Sequence, residues 1–284
     1  MIQIKQPVRT QSMMFTILGD YIYLRNIWEP IWLGSLIKIL NELGYSEQAV
    51  RLALTRMCVS GWLRKEKAGN RSFYSMTDKS LRLMEESKKR IFHKFKPKEK
   101  WDGKWCILIY SIPQKKSKLS AELRKGLSWF GFGSMSYGVW LSPNKFCLDV
   151  LHLTEELGVK QFTEIFIADG RDLAQDRELV MNCWDIKKIN HLYCQFIKEY
   201  RTTDQQLSEK YANNIPDNIC FQEKIALSHE FRKFPYSDPD LPRELLPQDW
   251  QGDEAAKVFD ELAELLTPGA FRFFDKHLEL KPKV

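Results

Sequence analysis

The feature that most constrains the fold of this sequence is the segment from Gly44 to Gly61, which is typical of a helix set between two glycine turns. Ser46 is a good N-cap, and the run SEQAVRLALTRMCVS follows it without a helix-breaking residue. At about 100° per residue, one stripe of this helix is apolar and consists of Val50, Ala53, Leu54 and Met57. Such a helix has to pack on this side and leave its polar side free.

Two further helices are predicted in front of it. SMMFTILGDYIYL has helical periodicity, and Ser12 is its expected N-cap. IWLGSLIKILNEL begins behind Pro30, a residue suited to the first turn of a helix. Only Gly44 and Tyr45 separate this segment from the third helix. The succession therefore predicts a helix-turn-helix.

A basic hairpin is predicted after Gly61. WLRKEK and RSFYSM have the composition of strands, and AGN between them has that of a tight turn. The tip of this hairpin, a candidate wing, is expected to carry Lys65, Lys67, Asn70 and Arg71.

The polar side of the third helix suits double-stranded DNA. It presents hydroxyl, amide and guanidinium groups that can reach base edges and phosphates, from Ser46, Gln48, Arg51, Thr55 and Arg56. Each residue taken alone is also typical of a solvated helix, and either arginine could form a surface ion pair. The order of helices, tight turn and basic hairpin favours the interpretation as a DNA-binding module.

Charge is distributed unevenly along the chain. Residues 1–98 contain 18 Lys and Arg against 8 Asp and Glu, whereas the remaining residues contain 25 against 29. A basic head on a neutral or acidic body is typical of proteins that bind a polyanion.

Composition sets further limits. The 284 residues are 44% hydrophobic, and no apolar run approaches the roughly 18 residues of a membrane span. The N-terminus has no apolar core of a signal peptide, so a cytoplasmic protein without membrane partners is expected. Reduced thiols, with neither a disulfide nor a zinc site, are expected for the six widely spaced cysteines, Cys58, Cys106, Cys147, Cys183, Cys194 and Cys220.

The sequence predicts an α+β multidomain protein. Residues 1–98 are expected to form a winged helix-turn-helix domain that ends in a lysine-rich joint over residues 87–104. Residues 99–171 alternate strand-like runs, among them SYGVWLSP as one strand, with helix-like runs, which suggests a ferredoxin-like α+β domain. Residues 172–284 are expected to be mostly helical, although Pro235, Pro239, Pro242 and Pro247 force turns before a helix that starts near Asp253.

Three stretches resemble one known family. FTILGDY at 15–21, SEQAVRLALTRMCVSGWL at 46–63 and DPDLPRELLPQDWQG at 238–252 are similar to the PaaX family, repressors of phenylacetic acid degradation genes. The resemblance implies a winged-helix N-terminal domain, a ferredoxin-like middle domain, a helical C-terminal domain and a homodimer. It also implies release from DNA by an aryl-coenzyme A thioester, phenylacetyl-coenzyme A in the best-known case. The nine candidate residues above then lie in the family's recognition helix and wing.

No family motif assigns a pocket for this effector. A coenzyme A ester needs donors for its phosphates and an apolar slot for its aryl group. Candidates for the slot are Trp129, Tyr137 and Trp140, although aromatic residues at strand and helix positions are also typical of an ordinary core.

Enzymatic alternatives have weaker support. The sequence contains no phosphate-binding glycine loop, GxSxG turn or HExxH helix, so neither a cofactor nor a metal is expected. The middle domain also resembles small CRISPR-associated endonucleases, but Ser111 stands where those have a metal-binding aspartate. Other carboxylates that could contribute to a metal site are Asp102, Asp149 and Asp169.

The His191–Cys194 pair and the adjacent His229 and Glu230 lack a third partner at recognisable spacing. A scaffold or activator that keeps the winged helix and binds another protein remains the non-enzymatic alternative.

Overall fold

The computed structural model describes residues 8–94, 100–211 and 214–282. The fold is mixed α and β, as predicted, and contains two antiparallel sheets and a helical C-terminal region. The chain divides into two compact units. The first unit comprises residues 1–93, 196–232 and 254–284, and the second comprises residues 94–195 and 233–253.

The N-terminal part of the first unit alternates helices with a small sheet. Its elements are α1 (Thr10–Ile17), a π-helical continuation (Leu18–Tyr23), β1 (Ile31–Trp32), α2 (Leu33–Glu42), α3 (Glu47–Val59), β2 (Leu63–Ala68), β3 (Arg71–Met76) and α4 (Asp78–Lys94). The strand order is β1-β3-β2. The predicted succession of helix, helix, tight turn, helix and hairpin is therefore present in the chain.

Three boundaries differ from the sequence prediction. The first helix begins at Thr10, so Ser12 lies inside it rather than at its N-cap. Ile31 and Trp32 form a strand instead of the first turn of a helix, because they pair with Tyr74 and Phe73 of β3. Long-range pairing of this kind overrides local helical periodicity. The helix α4 also continues to Lys94, through much of the expected joint, while residues 95–99 lie outside the described part.

Helices from the C-terminal part of the chain also belong to the first unit, among them α9 (Asp217–Phe231) and most of α11 (Gly252–His277). The ring of Tyr21 lies against Phe221 and Phe274, with ring centroids 5.4 and 4.7 Å away. Thr16 Oγ1 and His229 Nδ1 are 3.0 Å apart in the interior. One continuous hydrophobic core therefore joins the N-terminal helices to α9 and α11. The compact unit thus contains later helices as well as the N-terminal elements. The predicted domain boundary at residue 98 stays a prediction.

The second unit is built on a four-stranded antiparallel sheet with strand order β5-β6-β4-β7. Its elements are β4 (Lys104–Tyr110), α5 (Ser117–Trp129), β5 (Gly133–Ser136), β6 (Val139–Ser142), α6 (Cys147–Glu156), β7 (Thr163–Asp169), α7 (Leu173–Cys183) and α10 (Phe234–Ser237). The run SYGVWLSP, predicted as one strand, is divided by a turn in which Gly138 has a φ of 77°. The long helix α8 (Ile186–Tyr211) has residues in both units.

One cysteine prediction is wrong. Cys106 and Cys147 form a disulfide, and their Cα atoms are 6.2 Å apart. Cys106 lies on β4 and Cys147 begins α6, so the fold brings together residues that are 41 positions apart in the chain. Sequence spacing cannot reveal such a pair, because no short motif marks it. The remaining cysteines, Cys58, Cys183, Cys194 and Cys220, are free thiols, as predicted.

The proline-rich segment near residue 240 belongs to the second unit. Tyr193 donates a hydrogen bond to Asp238 Oδ2 at 2.6 Å, and burial beside Asp238 raises the pKa of this tyrosine far above its ordinary value. Leu241, Leu245 and Leu246 are buried around a short 3₁₀ turn (Arg243–Leu245). Within the described ranges, no helix is long and apolar enough to cross a membrane.

Candidate nucleic-acid interface

The start of α3 is fixed by its cap and by the turn before it. Ser46 Oγ accepts a hydrogen bond from Ala49 N at 3.3 Å, which is the N-cap contact that the sequence predicted. Gly44 has a φ of 85°, a conformation that residues with a side chain rarely adopt. Tyr45 N donates to Leu40 O at 3.1 Å and closes the end of α2. These contacts keep the turn between α2 and α3 short.

The two faces of α3 lie as the helical arithmetic predicted. Its apolar stripe is buried and consists of Val50, Ala53, Leu54 and Met57. The candidate contact residues are all exposed, namely Ser46, Gln48, Arg51, Thr55 and Arg56. Burial of the apolar stripe holds the helix axis in place, so the polar side chains are presented by a rigid support.

Two of the exposed residues already have partners on the same helix. Arg51 forms an ion pair with Glu47, with Nη2 2.7 Å from Oε1, and Thr55 Oγ1 donates to Arg51 O at 2.9 Å. Exposed pairs of this spacing contribute only about 0.3–0.5 kcal/mol. A bidentate contact to a base contributes about 1–3 kcal/mol of discrimination, so the pair does not prevent Arg51 from contacting DNA. Arg56 has no ion-pair partner within the described part of the chain.

The hairpin next to α3 has the predicted turn. Strands β2 and β3 pair from Leu63 opposite Met76 to Ala68 opposite Arg71, and Gly69 at the turn has a φ of 57°. Lys65, Lys67 and Asn70 are exposed. The prediction that the tip carries all four candidates is wrong for Lys65 and Lys67. Both lie within β2, because the strands pair as far as Ala68 opposite Arg71, whereas Asn70 is at the tip.

The fourth hairpin residue has a structural role. Arg71 Nη1 lies 3.1 Å from Glu279 Oε2, and its guanidinium lies 4.6 Å from the centroid of the Trp32 ring. Trp32 N also donates to Glu279 O at 2.9 Å, and Lys281 Nζ donates to Glu66 Oε2 at 2.7 Å. The C-terminal segment of the same unit therefore anchors the hairpin.

Charged groups on α3 and on the hairpin act on two ionisable side chains that lie between these elements. Burial raises the pKa of the Cys58 thiol on α3, and the positive charge of Lys65 partly opposes this rise. Burial also raises the pKa of Tyr74 on β3, and Arg51 opposes it. Positive groups of the helix and of the hairpin thus act on neighbouring points of one surface.

Two apolar residues on this surface were not among the predicted contact residues. Leu52 is 51% exposed and Val59 is 85% exposed, although both are large aliphatic side chains. The helical wheel places Leu52 on the polar side of α3, so the signal was present in the sequence. Aliphatic side chains in a major groove contact the methyl group of thymine.

The three effector candidates have different environments. Trp140 is buried in the core of the second unit, Tyr137 is 85% exposed at the turn before β6, and Trp129 lies at the end of α5 with its ring 5.6 Å from that of Tyr236. Their effector role stays a prediction.

The alternative enzymatic sites gain no support. Ser111 follows β4 directly, as the sequence analysis expected, and Asp102 Oδ1 accepts from Lys104 N at 3.0 Å. The described residues contain no cluster of three His, Cys, Asp or Glu side chains that could hold a metal ion. His191 Nε2 lies 3.0 Å from Gln195 Nε2 on the surface of α8.

Comparison with known proteins agrees with this architecture. Residues 9–80 match the PaaX-like protein model, residues 98–180 match the PaaX protein central Cas2-like domain, and residues 184–276 match the PaaX-like protein C-terminal domain. The transcriptional repressor PaaX of Escherichia coli is 35% identical over 270 residues, which cover 94% of this chain and 83% of the repressor. The chain belongs to the PaaX family. The family resemblance inferred from the sequence is thereby confirmed, and the PaaX relative is a transcriptional repressor rather than an enzyme.

A solved structure shares the fold of this PaaX-family chain. It is an uncharacterized protein from Mycobacterium tuberculosis with 21% sequence identity and a TM-score of 0.62. The alignment covers 95% of this chain and 98% of the mycobacterial one. At this level of identity the comparison speaks to the fold alone.

Proposed function

We propose that this protein is a DNA-binding transcriptional repressor of genes for phenylacetate-type aromatic acid catabolism. The observation that carries the proposal is α3, whose apolar stripe is buried while its hydroxyl, amide and guanidinium groups face solvent. The identity to the PaaX repressor over nearly the whole chain supports the same function.

In this proposal the N-terminal elements act as a winged helix-turn-helix. The helix α3 enters the major groove, where base edges and phosphates come within reach of Gln48, Arg51, Thr55 and Arg56. Ser46 lies at the N-terminus of α3, where free backbone N–H groups suit a phosphate. Leu52 adds an apolar contact to thymine methyl groups.

The hairpin acts as the wing. Lys65 and Lys67 bind phosphates along the shaft of β2, and Asn70 reaches the backbone from the tip. Arg71 holds the wing in place through Glu279 and Trp32, so we assign it a positioning role.

The remaining features of the proposal come from the family. The β-α-β-β-α-β order of the second unit and its strand order support a ferredoxin-like domain. A homodimer would present two α3 helices to half-sites about 34 Å apart, or a multiple of that distance, on an inverted repeat. An aryl-coenzyme A thioester, such as phenylacetyl-coenzyme A, would release the DNA.

Footprinting tests this proposal. The full chain is incubated with the DNA upstream of its own gene and treated with DNase I, with and without phenylacetyl-coenzyme A. We expect a protected inverted repeat whose protection is lost when the thioester is added. Protection of one unrepeated half-site would contradict the dimer, and protection without sequence preference would contradict the repressor.

A further inference from the structure

A short C-terminal segment, residues 278–281, lies along the edge of β1 that does not face β3. Leu280 forms an antiparallel bridge with Ile31. Trp32 N donates a hydrogen bond to Glu279 O at 2.9 Å. The small sheet of the first unit is therefore bordered on this side by residues from the far end of the chain, which satisfy main-chain groups of an otherwise open edge.

The sequence of this segment, LELK, alternates apolar and charged residues with the period of a strand. Leu278 and Leu280 pack against the hydrophobic core of the first unit. Glu279 and Lys281 therefore point to the other side of the sheet. Glu279 N also donates to the buried Ser35 Oγ at 2.8 Å, which fixes the segment to α2.

The two charged residues of the segment hold different strands of the hairpin. Arg71 Nη1 on β3 lies 3.1 Å from Glu279 Oε2. Lys281 Nζ donates to Glu66 Oε2 on β2 at 2.7 Å, and this bond holds the pKa of the Glu66 carboxyl below its ordinary value. The segment is thus tied to both strands of the hairpin as well as to β1.

Both ion pairs lie on one face of the hairpin. Glu66 alternates along β2 with Lys65 and Lys67, and neighbouring side chains of a strand point to opposite faces. Arg71 is paired with Ala68 and so shares the face of Glu66. The C-terminal segment therefore holds the hairpin from behind and leaves the two exposed lysines free.

The hairpin has little other support at this edge. β1 contributes only two residues to the pairing with β3, and a two-stranded hairpin is marginally stable by itself. Loss of the segment would also leave the carboxylate of Glu66 without its cation, between the lysines proposed to bind phosphates. An unneutralised carboxylate at this place repels DNA.

We propose that the C-terminal segment is a positioning element for DNA binding. Glu279 and Lys281 hold the hairpin at the angle at which its lysines meet phosphates, without contacting DNA themselves. Loss of this support weakens binding to every sequence alike, while base discrimination by α3 is kept. The inference rests on the proposed function, because it assigns the segment a part in DNA binding.

The first test is a charge reversal in the full chain. Lys281→Glu places two carboxylates side by side and should drive the hairpin away from the segment. Fluorescence anisotropy on the upstream duplex should show a slope of log affinity against log salt reduced by about two, one for each lysine. Affinity at low salt should fall about tenfold or more. Lys276→Glu, at an exposed position near the end of α11, makes the same change in net charge and should keep the wild-type slope.

Two further variants separate positioning from folding. Glu66→Lys/Lys281→Glu restores the ion pair with its ends exchanged and should recover the wild-type slope, with affinity within about threefold. Glu279→Gln/Lys281→Gln removes both ion pairs without repulsion or a change in net charge, and should lower the slope by at least about one. Circular dichroism confirms that all of these proteins fold.

Discrimination among single-base operator variants is measured on the same proteins. It should be equal in Lys281→Glu and the wild type, because α3 is unchanged. A wild-type slope in both Lys281→Glu and Glu279→Gln/Lys281→Gln, no recovery in the swapped pair, or loss of base discrimination together with the slope would overturn the proposal. Absence of selective binding by the wild type would instead overturn the proposed function, and the salt slopes on a duplex of any sequence would still decide the role of the segment.

Discussion

Arg51 forms an ion pair within α3 and is also proposed to contact a base in DNA. In the free protein it pairs with Glu47, four residues earlier on the same exposed helix face. This pair is weak because solvent screens both charges. In the proposed complex a base contact would replace this pair at little cost in free energy, and the pair keeps the guanidinium on the exposed face of α3.

Glu47→Gln tests this interpretation. The change frees Arg51 and removes a negative charge next to the DNA, so operator affinity should rise about twofold or more at low salt. Fluorescence anisotropy measures the change, and Glu122→Gln on α5 is the matched control. Weaker binding by Glu47→Gln would mean that Glu47 itself contacts the DNA.

Arg51→Ala and Arg56→Ala test the reading face. Each should weaken binding to the cognate site by about 1–3 kcal/mol and relax discrimination at one base pair. The measurement is anisotropy on a set of single-base operator variants. If both proteins keep full affinity and selectivity, the reading face of α3 has been misplaced.

At the scale of elements, the periodicity of α3 and the turn chemistry of the hairpin were predictable because local patterns determine them. The strand at Ile31 and Trp32 was not, because it exists only through pairing with β3. The division of SYGVWLSP into two strands depends on Gly138, whose Cα faces the Tyr110 carbonyl so closely that a Cβ would lie 2.6 Å from that oxygen. Anchoring of the wing by the C-terminal segment joins residues more than 200 positions apart, and no local pattern reveals it.

The wing gives a prediction at this scale. Lys65→Ala and Lys67→Ala should each weaken binding to all DNA sequences alike and reduce the slope of log affinity against log salt by about one. Lys118→Ala, an exposed lysine on α5, serves as the control for net charge. A loss restricted to one operator sequence would contradict phosphate contacts.

At the scale of the whole molecule, the elements proposed to bind DNA share their core with helices from the other end of the chain. The FTILGDY stretch has a packing role, since Tyr21 contacts Phe221, Phe271 and Phe274. The predicted domain division separates Tyr21, in residues 1–98, from the three phenylalanines, in residues 172–284, so this long-range contact was not predicted. The mixed fold class and the helix α3 with its exposed polar face were predictable, whereas the shared core was not.

A fragment of residues 1–98 should therefore fold poorly on its own. Removal of α9 and α11 exposes Tyr21 and uncovers part of a continuous apolar core. The burial free energy lost in this way is large compared with the free energy of unfolding of a small domain. Circular dichroism melting of the fragment should show no cooperative transition, whereas the full chain should show one. A cooperative melt of the fragment would mean that the shared core is dispensable.

The disulfide gives a second prediction at this scale. Reduction of the Cys106–Cys147 bond opens a loop of 41 residues and should lower the free energy of unfolding by about 2–4 kcal/mol. Urea denaturation with and without a phosphine reductant measures the difference, and Cys106→Ala/Cys147→Ala should match the reduced protein. If the reductant also lowered the free energy of unfolding of the double variant, the effect would not come from the Cys106–Cys147 disulfide.

The central claim is that α3 reads a DNA sequence, and one binding measurement tests it most directly. The full chain is titrated by fluorescence anisotropy into the footprinted upstream duplex and into a scrambled duplex of the same composition, over a series of salt concentrations. The account predicts a preference of at least about 10³ for the upstream duplex, with affinity for both falling as salt rises. Equal affinity for the two duplexes at every salt concentration would contradict it.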